Sequence, residues 1–353
     1  MNFKKSLALA LVGLTFVVAI GTALNTAGGT SNGTQVFTPL AGTLTPTTDT
    51  TAETTVDVGL YATNVYEMSV ADNTFYFSGY VWLRWKGDAD PVAGLEFVNA
   101  VETWGLMVTP LTEKPERLPS GENLQTVSVQ GRFYKAFSLK DYPLDAQTLT
   151  IMIEDSTSTA DQIKYRVDEA QSGYDPNLRV QGFDVKGLGA QTYLHNYGTN
   201  FGTGQSVGEQ TYSAVEFQLQ VKRSPNLFLW KLLIPLLLVL ITNWLTLLLS
   251  PKYVEVRTAM PATALLTTVF LQLSSMDAIG QTAVLVLMDQ IYLVAYTSIV
   301  ITLAQVIWDN TEVRKELHER MDVVAKRDQV SLVVQVVVTL AILLWLVLPR
   351  ISG

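Results

Sequence analysis

The sequence predicts an all-β sandwich joined to an all-α bundle of four membrane helices. Three observations carry that expectation. Hydrophobicity alternates with period two from Val56 to about Arg223, Gly, Pro, Asn and Asp turns cut that region into short strands, and four long apolar spans fill the remainder. Strand side chains point to opposite faces in turn, so a sheet with one buried face writes an alternating pattern. A helix needs roughly 20 apolar residues to cross a bilayer core, and the four spans are of about that length.

Ahead of the alternating region, Lys4 and Lys5 precede an uncharged apolar run from Leu7 to about Leu24, with small residues such as Gly21 and Ala23 near its end. Residues 1–24 therefore read as a secretory signal peptide, with an uncleaved N-terminal anchor as the alternative. Residues 25–55 are rich in Thr and Gly without apolar periodicity, which predicts a flexible lead-in.

The sandwich is expected over residues 56–224. Phe75, Phe77, Gly79, Val81, Leu83 and Trp85 share one face of a strand, while Tyr76, Ser78, Tyr80, Trp82 and Arg84 share the other. Leu149, Ile151 and Ile153 repeat the pattern, and Val215, Phe217, Leu219 and Val221 alternate with Glu216, Gln218, Gln220 and Lys222. Several such strands separated by turns argue for an immunoglobulin-like sandwich.

The membrane domain is expected over residues 225–353, with helices at about Leu227 to Leu249, Thr258 to Met276, Ala283 to Trp308 and Val330 to Leu348. A charged linker, 309–328, expected to be a solvated helix, separates the last two. Lys252 and Arg257 lie between the first two spans, and Arg314, Lys315, Arg320, Lys326 and Arg327 between the last two. The loop between the second and third spans has no basic residue, so the positive-inside rule puts the sandwich and the C-terminus outside.

Composition excludes several functions. The net charge of -8 would repel phosphate backbones, which argues against a nucleic-acid partner. Cys is absent, so no disulfide, thiolate nucleophile or zinc–thiolate site can form. The two histidines, His195 and His318, are far apart in sequence, so a histidine metal centre is not expected. No nucleophile–base constellation or cofactor motif stands out, and the chain is not expected to be an enzyme or to carry a cofactor.

The second span is unusually polar, with Thr258, Thr263, Thr267, Thr268, Gln272, Ser274 and Ser275 on one short helix. Lipid cannot surround such a helix on all sides. At helical spacing Glu255, Ala259, Thr263, Leu266, Phe270, Leu273 and Asp277 form one stripe: a carboxylate, small and hydroxylated residues, three bulky apolar residues, then a second carboxylate. Two readings fit. Several copies around an axis would turn the stripe into pore-lining rings, acidic at both mouths and apolar in the middle, where the pore closes by dewetting. Otherwise a polar helix sits buried inside a monomeric bundle.

Tyr142-Pro143-Leu144-Asp145-Ala146-Gln147, between two strands, resembles the signature loop of the pentameric ligand-gated (Cys-loop) channel family, aromatic-Pro-aromatic-Asp-x-Gln. Leu144 departs from the usual aromatic. Tyr134 and Thr148 stand where animal members carry bridging cysteines, and bacterial members generally lack that pair. Further matches follow in order: Gly59-Leu60-Tyr61, Trp85-Lys86, Phe97-Val98-Asn99, Gly182-Phe183, Arg223, Pro235, Thr263, Leu266 and Asp289-Gln290.

The resemblance implies a homopentamer in the bacterial inner membrane, with a central pore lined by the second helices and agonist pockets between neighbouring sandwiches; collars of Glu255 and Asp277 at the mouths would favour monovalent cations in that pore. It implies that Asp72, Asn73, Thr74, Tyr142, Pro143, Leu144, Asp145, Arg223, Ile279 and Gly280 couple sandwich to pore. For the agonist pocket it points to Asn99, the Glu154-Asp155 turn, Tyr193, Tyr197, Phe201 and Tyr212. Aromatic rings beside carboxylates suit a cationic amine, while a proton or divalent cation sensed by those carboxylates stays open. A non-conducting receptor of the same fold is the alternative function.

Overall fold

The structure, a computed structural model, describes residues 42–48, 52–202, 211–276, 285–315 and 321–352. These divide into two compact units. The β unit runs to Ser138 and resumes over Ala146–Arg223; the helical unit holds Leu139–Asp145 and the residues from Ser224 onward.

The β unit is two packed sheets. One sheet has the order β1 (Thr43–Pro46), β11 (Phe183–Asn196), β12 (Thr211–Arg223), β8 (Ala146–Asp155) and β4 (Leu95–Phe97). The other has the order β10 (Gly173–Tyr174), β2 (Thr54–Ser69), β3 (Thr74–Trp85), β7 (Asn123–Tyr134) and β5 (Met107–Pro110). β6 (Glu116–Arg117) adds to β7, and β9 (Ile163–Val167) runs parallel to β2. The alternation dictates which faces meet. Phe75, Phe77, Val81, Leu83 and Trp85 of β3 are buried against Leu149, Ile151 and Ile153 of β8 and Val215, Phe217, Leu219 and Val221 of β12. At Gly59 a side chain is excluded, because a Cβ there would lie 2.1 Å from the Trp82 ring.

One expectation fails at the N-terminal end of this unit. Residues 42–48 fall in the stretch expected to be a flexible lead-in, yet β1 pairs antiparallel with β11, Thr43 opposite Asn196 and Pro46 opposite Tyr193. All four of its residues are exposed, so backbone pairing holds it rather than a buried face, and hydrophobic periodicity could not reveal it.

The outer face of the second sheet carries a charge cluster. Asp57 accepts from Arg166 Nε at 2.5 Å and from Arg84 at 3.1 Å, and Arg84 also lies 3.7 Å from Asp168 and 3.8 Å from Glu122. Burial pushes the Asp57 carboxyl up, but hydrogen bonds and charge from Arg166 and Arg84 outweigh it and hold Asp57 below the usual carboxylate range. A depressed folded value stabilises the fold above the unfolded value of 3.8, and the contribution is lost as pH falls through the folded one. Asp57→Asn should therefore cost about 1–2 kcal/mol at neutral pH, discounted because Arg166 is 56% exposed. Thermal melts should show the gap to the parent narrowing below about pH 4; a gap constant with pH would contradict the assignment.

Among the described residues, the helical unit has four helices long and apolar enough to cross a membrane: Phe228–Leu248, Val254–Ser275, Leu287–Thr311 and Asp322–Arg350. The first opens with a wide π-helical segment, Phe228–Leu233, directly before Pro235, whose missing N–H and bulky ring disfavour a regular turn there. Helical structure reaches further than the apolar spans do. The second helix spans Val254–Met276, the third Leu287–Lys315 and the fourth Met321–Ser352, so most of the expected linker 309–328 is helix. The described parts of the linker are helical as expected, but Asp309 and Asp328 within them are buried rather than solvated. Pro261 lies two turns inside the second helix.

Candidate functional site

The second helix divides its residues sharply. Arg257, Pro261, Ala264, Thr268 and Ser275 are buried against the other helices, whereas Glu255, Ala259, Thr263, Leu266, Phe270 and Leu273 are all exposed. Leu266, Phe270 and Leu273 are 56%, 62% and 54% exposed. The stripe read from the sequence is thus one open face that the chain's own helices leave uncovered; Asp277, its expected outer end, lies outside the described residues. The hydroxyls need no outside partner. Thr263 Oγ1 donates to the Ala259 carbonyl at 2.9 Å, and Thr267 to the Thr263 carbonyl at 2.9 Å. Gln272 is held by Tyr296, whose hydroxyl donates to it at 2.7 Å.

At the other end of this helix a polar network ties it down. The Arg257 guanidinium, 2% exposed, donates to Asp328 of the fourth helix at 2.6 Å and to Asp309 of the third at 3.5 Å. Arg327 pairs with Asp309 as well. Gln305 donates to Asp328 at 2.7 Å, and the chain continues through Ser331 and Gln335 to Thr302, which accepts from Asn243 of the first helix at 3.0 Å. Sequence reading used Arg257 only as an orientation signal. A lone arginine beside a span carries no mark of burial until its two aspartates, far along the chain, are placed beside it.

The expected coupling residues fall in two places. In the β unit, Asp72 accepts from the Ser69 hydroxyl at 2.7 Å, and Thr74 is buried. Asn73 has φ 55°, its carbonyl accepts from Lys135 N at 2.7 Å, and its side-chain oxygen accepts from Phe137 N at 3.3 Å. The Arg223 guanidinium lies 4.3 Å from the Phe183 ring centroid. In the helical unit, Tyr142 and Leu144 are in the core with Phe228, Leu287, Met288 and Ile291, and Pro143 and Asp145 are buried. Carbonyls of Lys140 and Tyr142 accept from Leu287 N and Met288 N at 2.9 and 3.2 Å, serving donors at the start of the third helix. Asp141 binds Arg350 of the fourth helix at 2.5 Å. Ile279 and Gly280 lie outside the described residues.

The expected agonist residues separate. Asn99 is occupied: its amide donates to the Tyr134 and Thr150 carbonyls at 3.1 and 2.7 Å, and its oxygen accepts from Met152 N at 2.9 Å. It clamps β7 to β8, and Asn99→Leu should destabilise the sandwich by about 1–3 kcal/mol, read by denaturant unfolding. An unchanged midpoint would refute the clamp. Glu154 and Asp155 end a strand rather than form a turn. Asp155 Oδ1 accepts from Thr157 N and Ser158 N at 2.9 and 2.7 Å, a local turn brace. Tyr193 donates to Gln191 at 3.1 Å, apart from the others.

Glu154, Tyr197, Phe201 and Tyr212 do converge. The Tyr197 hydroxyl donates to Glu154 Oε1 at 2.9 Å, and the Tyr197 ring lies 5.3 Å from Phe201 and 5.9 Å from Tyr212. A member missed by sequence reasoning completes the cluster. His195 Nδ1 is 2.6 Å from Glu154 Oε2, and its ring lies 3.9 Å from that of Tyr197. Burial pushes the Glu154 carboxyl up, opposed by hydrogen bonds from His195 and Tyr197. Burial also pushes the Tyr197 phenol up, aided by the Glu154 charge. An aromatic cluster over a buried carboxylate can hold a small cation. Compared with models of known protein families, the chain matches none.

Proposed function

We propose that the chain is one subunit of a homopentameric, cation-selective channel of the bacterial inner membrane, opened by a ligand that binds the sandwich outside. The observation that carries the reading is the uncovered stripe of the second helix. Glu255, Ala259, Thr263, Leu266, Phe270 and Leu273 share one exposed face, while Arg257, Pro261, Ala264 and Thr268 pack inward. Lipid would not tolerate a carboxylate and hydroxyls on such a face, and neighbouring copies around a water column would. Five copies give acidic rings that concentrate monovalent cations and an apolar constriction that empties of water when narrow.

Coupling has a physical route in this reading. The loop Tyr142 to Asp145 is continuous with β8, which carries Glu154 at its other end. A ligand bound more tightly in the conducting state shifts the closed–open equilibrium by that difference in affinity. Purified protein in planar bilayers should give discrete currents whose reversal potential follows the cation gradient. Reversal at the anion potential, or silence across a panel of amines, pH values and calcium concentrations, would count against it. The reading assigns no enzymatic activity and no cofactor to the chain.

A further inference from the structure

Glu154 is an unusual ligand group because both of its oxygens are already engaged. Oε2 meets His195 Nδ1 at 2.6 Å and Oε1 accepts from Tyr197 at 2.9 Å, and its side chain is only 2% exposed. The His195 side chain is 15% exposed, more than the carboxylate it meets. A carboxylate withdrawn from water needs a counter-charge or strong donors. Of the two side chains holding it, His195 alone can supply a positive charge.

Among the described residues, the groups placed against the pair by register or ring contact supply none. Glu96 of β4 stands opposite Glu154 in register and disfavours its charged form. Tyr165 of β9 and Tyr212 of β12 are phenols, and β1 presents only Leu44 opposite His195. The imidazole also rests 3.9 Å from the Tyr197 ring. A small ammonium group in its place would find the same carboxylate and the same aromatic face.

We propose that His195 is a tethered competitor for the ligand: when protonated it occupies the Glu154 carboxylate that a small protonated primary amine takes on binding. The amine's arrival displaces the imidazolium and releases its proton to solvent, so amine affinity falls as the solution becomes more acid. This rests on the reading of the Glu154 cluster as the ligand site, and not on conduction. By reciprocity, protons and amine each weaken the other's binding by the same factor.

Calorimetric titration of the full-length, detergent-solubilised protein with propylamine tests this, using buffer pairs of different ionisation heat to count protons. At pH values just above the ordinary histidine range, where an imidazolium displaced into water gives up its proton, the parent should release up to one proton per amine bound and lose affinity as the pH falls, by at most tenfold per pH unit. His195→Gln should still bind propylamine, with proton release near zero and a flattened pH profile. Glu154→Gln should lose binding at every pH, with 1-propanol failing to bind either protein. Propylamine binding to the parent without proton release, or an unchanged pH slope in His195→Gln, would overturn the proposal. The outcomes separate the two readings. Proton-linked binding in a protein that never conducts would sink the channel and leave His195 standing, whereas conduction without amine binding would do the reverse.

Discussion

Replacing Arg257 with Met is expected to destabilise the helical unit by about 3–5 kcal/mol, the cost of breaking a buried ion pair from one side. The guanidinium is 2% exposed, and Asp309 and Asp328 are each 1% exposed, so water cannot take over its role. Its removal leaves two carboxylates of different helices facing one another in a dry setting, with Arg327 paired to Asp309. Adding Asp328→Asn to Arg257→Met should restore much of the loss, because the remaining charges then balance. Thermal unfolding in detergent measures both variants. A single variant as stable as the parent would show that the cluster is solvated, and a double variant worse than the single would remove the ion-pair explanation.

Leu266→Thr is expected to raise resting open probability at least tenfold, equivalent to about 1.4 kcal/mol in the closed–open equilibrium. Leu266 is 56% exposed on the uncovered stripe, so the substitution disturbs no contact within the chain. Its effect in the proposed pentamer is confined to the constriction, where five hydroxyls would keep water in a gap that five leucines empty. Single-channel recording reads the change directly. An open probability equal to the parent's would place the barrier elsewhere, with Phe270 as the next ring to substitute.

Sandwich and helices were legible because burial leaves a periodic trace. The faces of β3, β8 and β12 follow the alternation residue by residue, and the stripe from Glu255 to Leu273 follows the helical period onto one exposed face. Features without a period were not legible. β1 is held by backbone pairing with all its side chains exposed, so its composition resembles a linker. The charge alternation of the linker 309–328 marked a helix, but not that Asp309 and Asp328 would be buried in it.

The binding cluster was half legible. Tyr197, Phe201, Tyr212 and Glu154 converge, but Asn99 satisfies three backbone groups instead, because an amide has donors and an acceptor that serve a strand clamp as readily as a ligand. His195 and Arg257 escaped for a shared reason. Each owes its role to a carboxylate distant in sequence, and one chain gives no sign of such a pairing before it folds.

The absence of Cys from the chain offers a direct test of the pore, since any introduced thiol is the only one present. Thr263→Cys and, as a control, Val337→Cys on the exposed face of the fourth helix can each be treated with a charged, membrane-impermeant thiol reagent during current recording. The pore account predicts that modification at Thr263 abolishes the current while modification at Val337 leaves it intact. Current through Thr263→Cys that persists after the thiol has demonstrably reacted would mean that this face does not line the ion path.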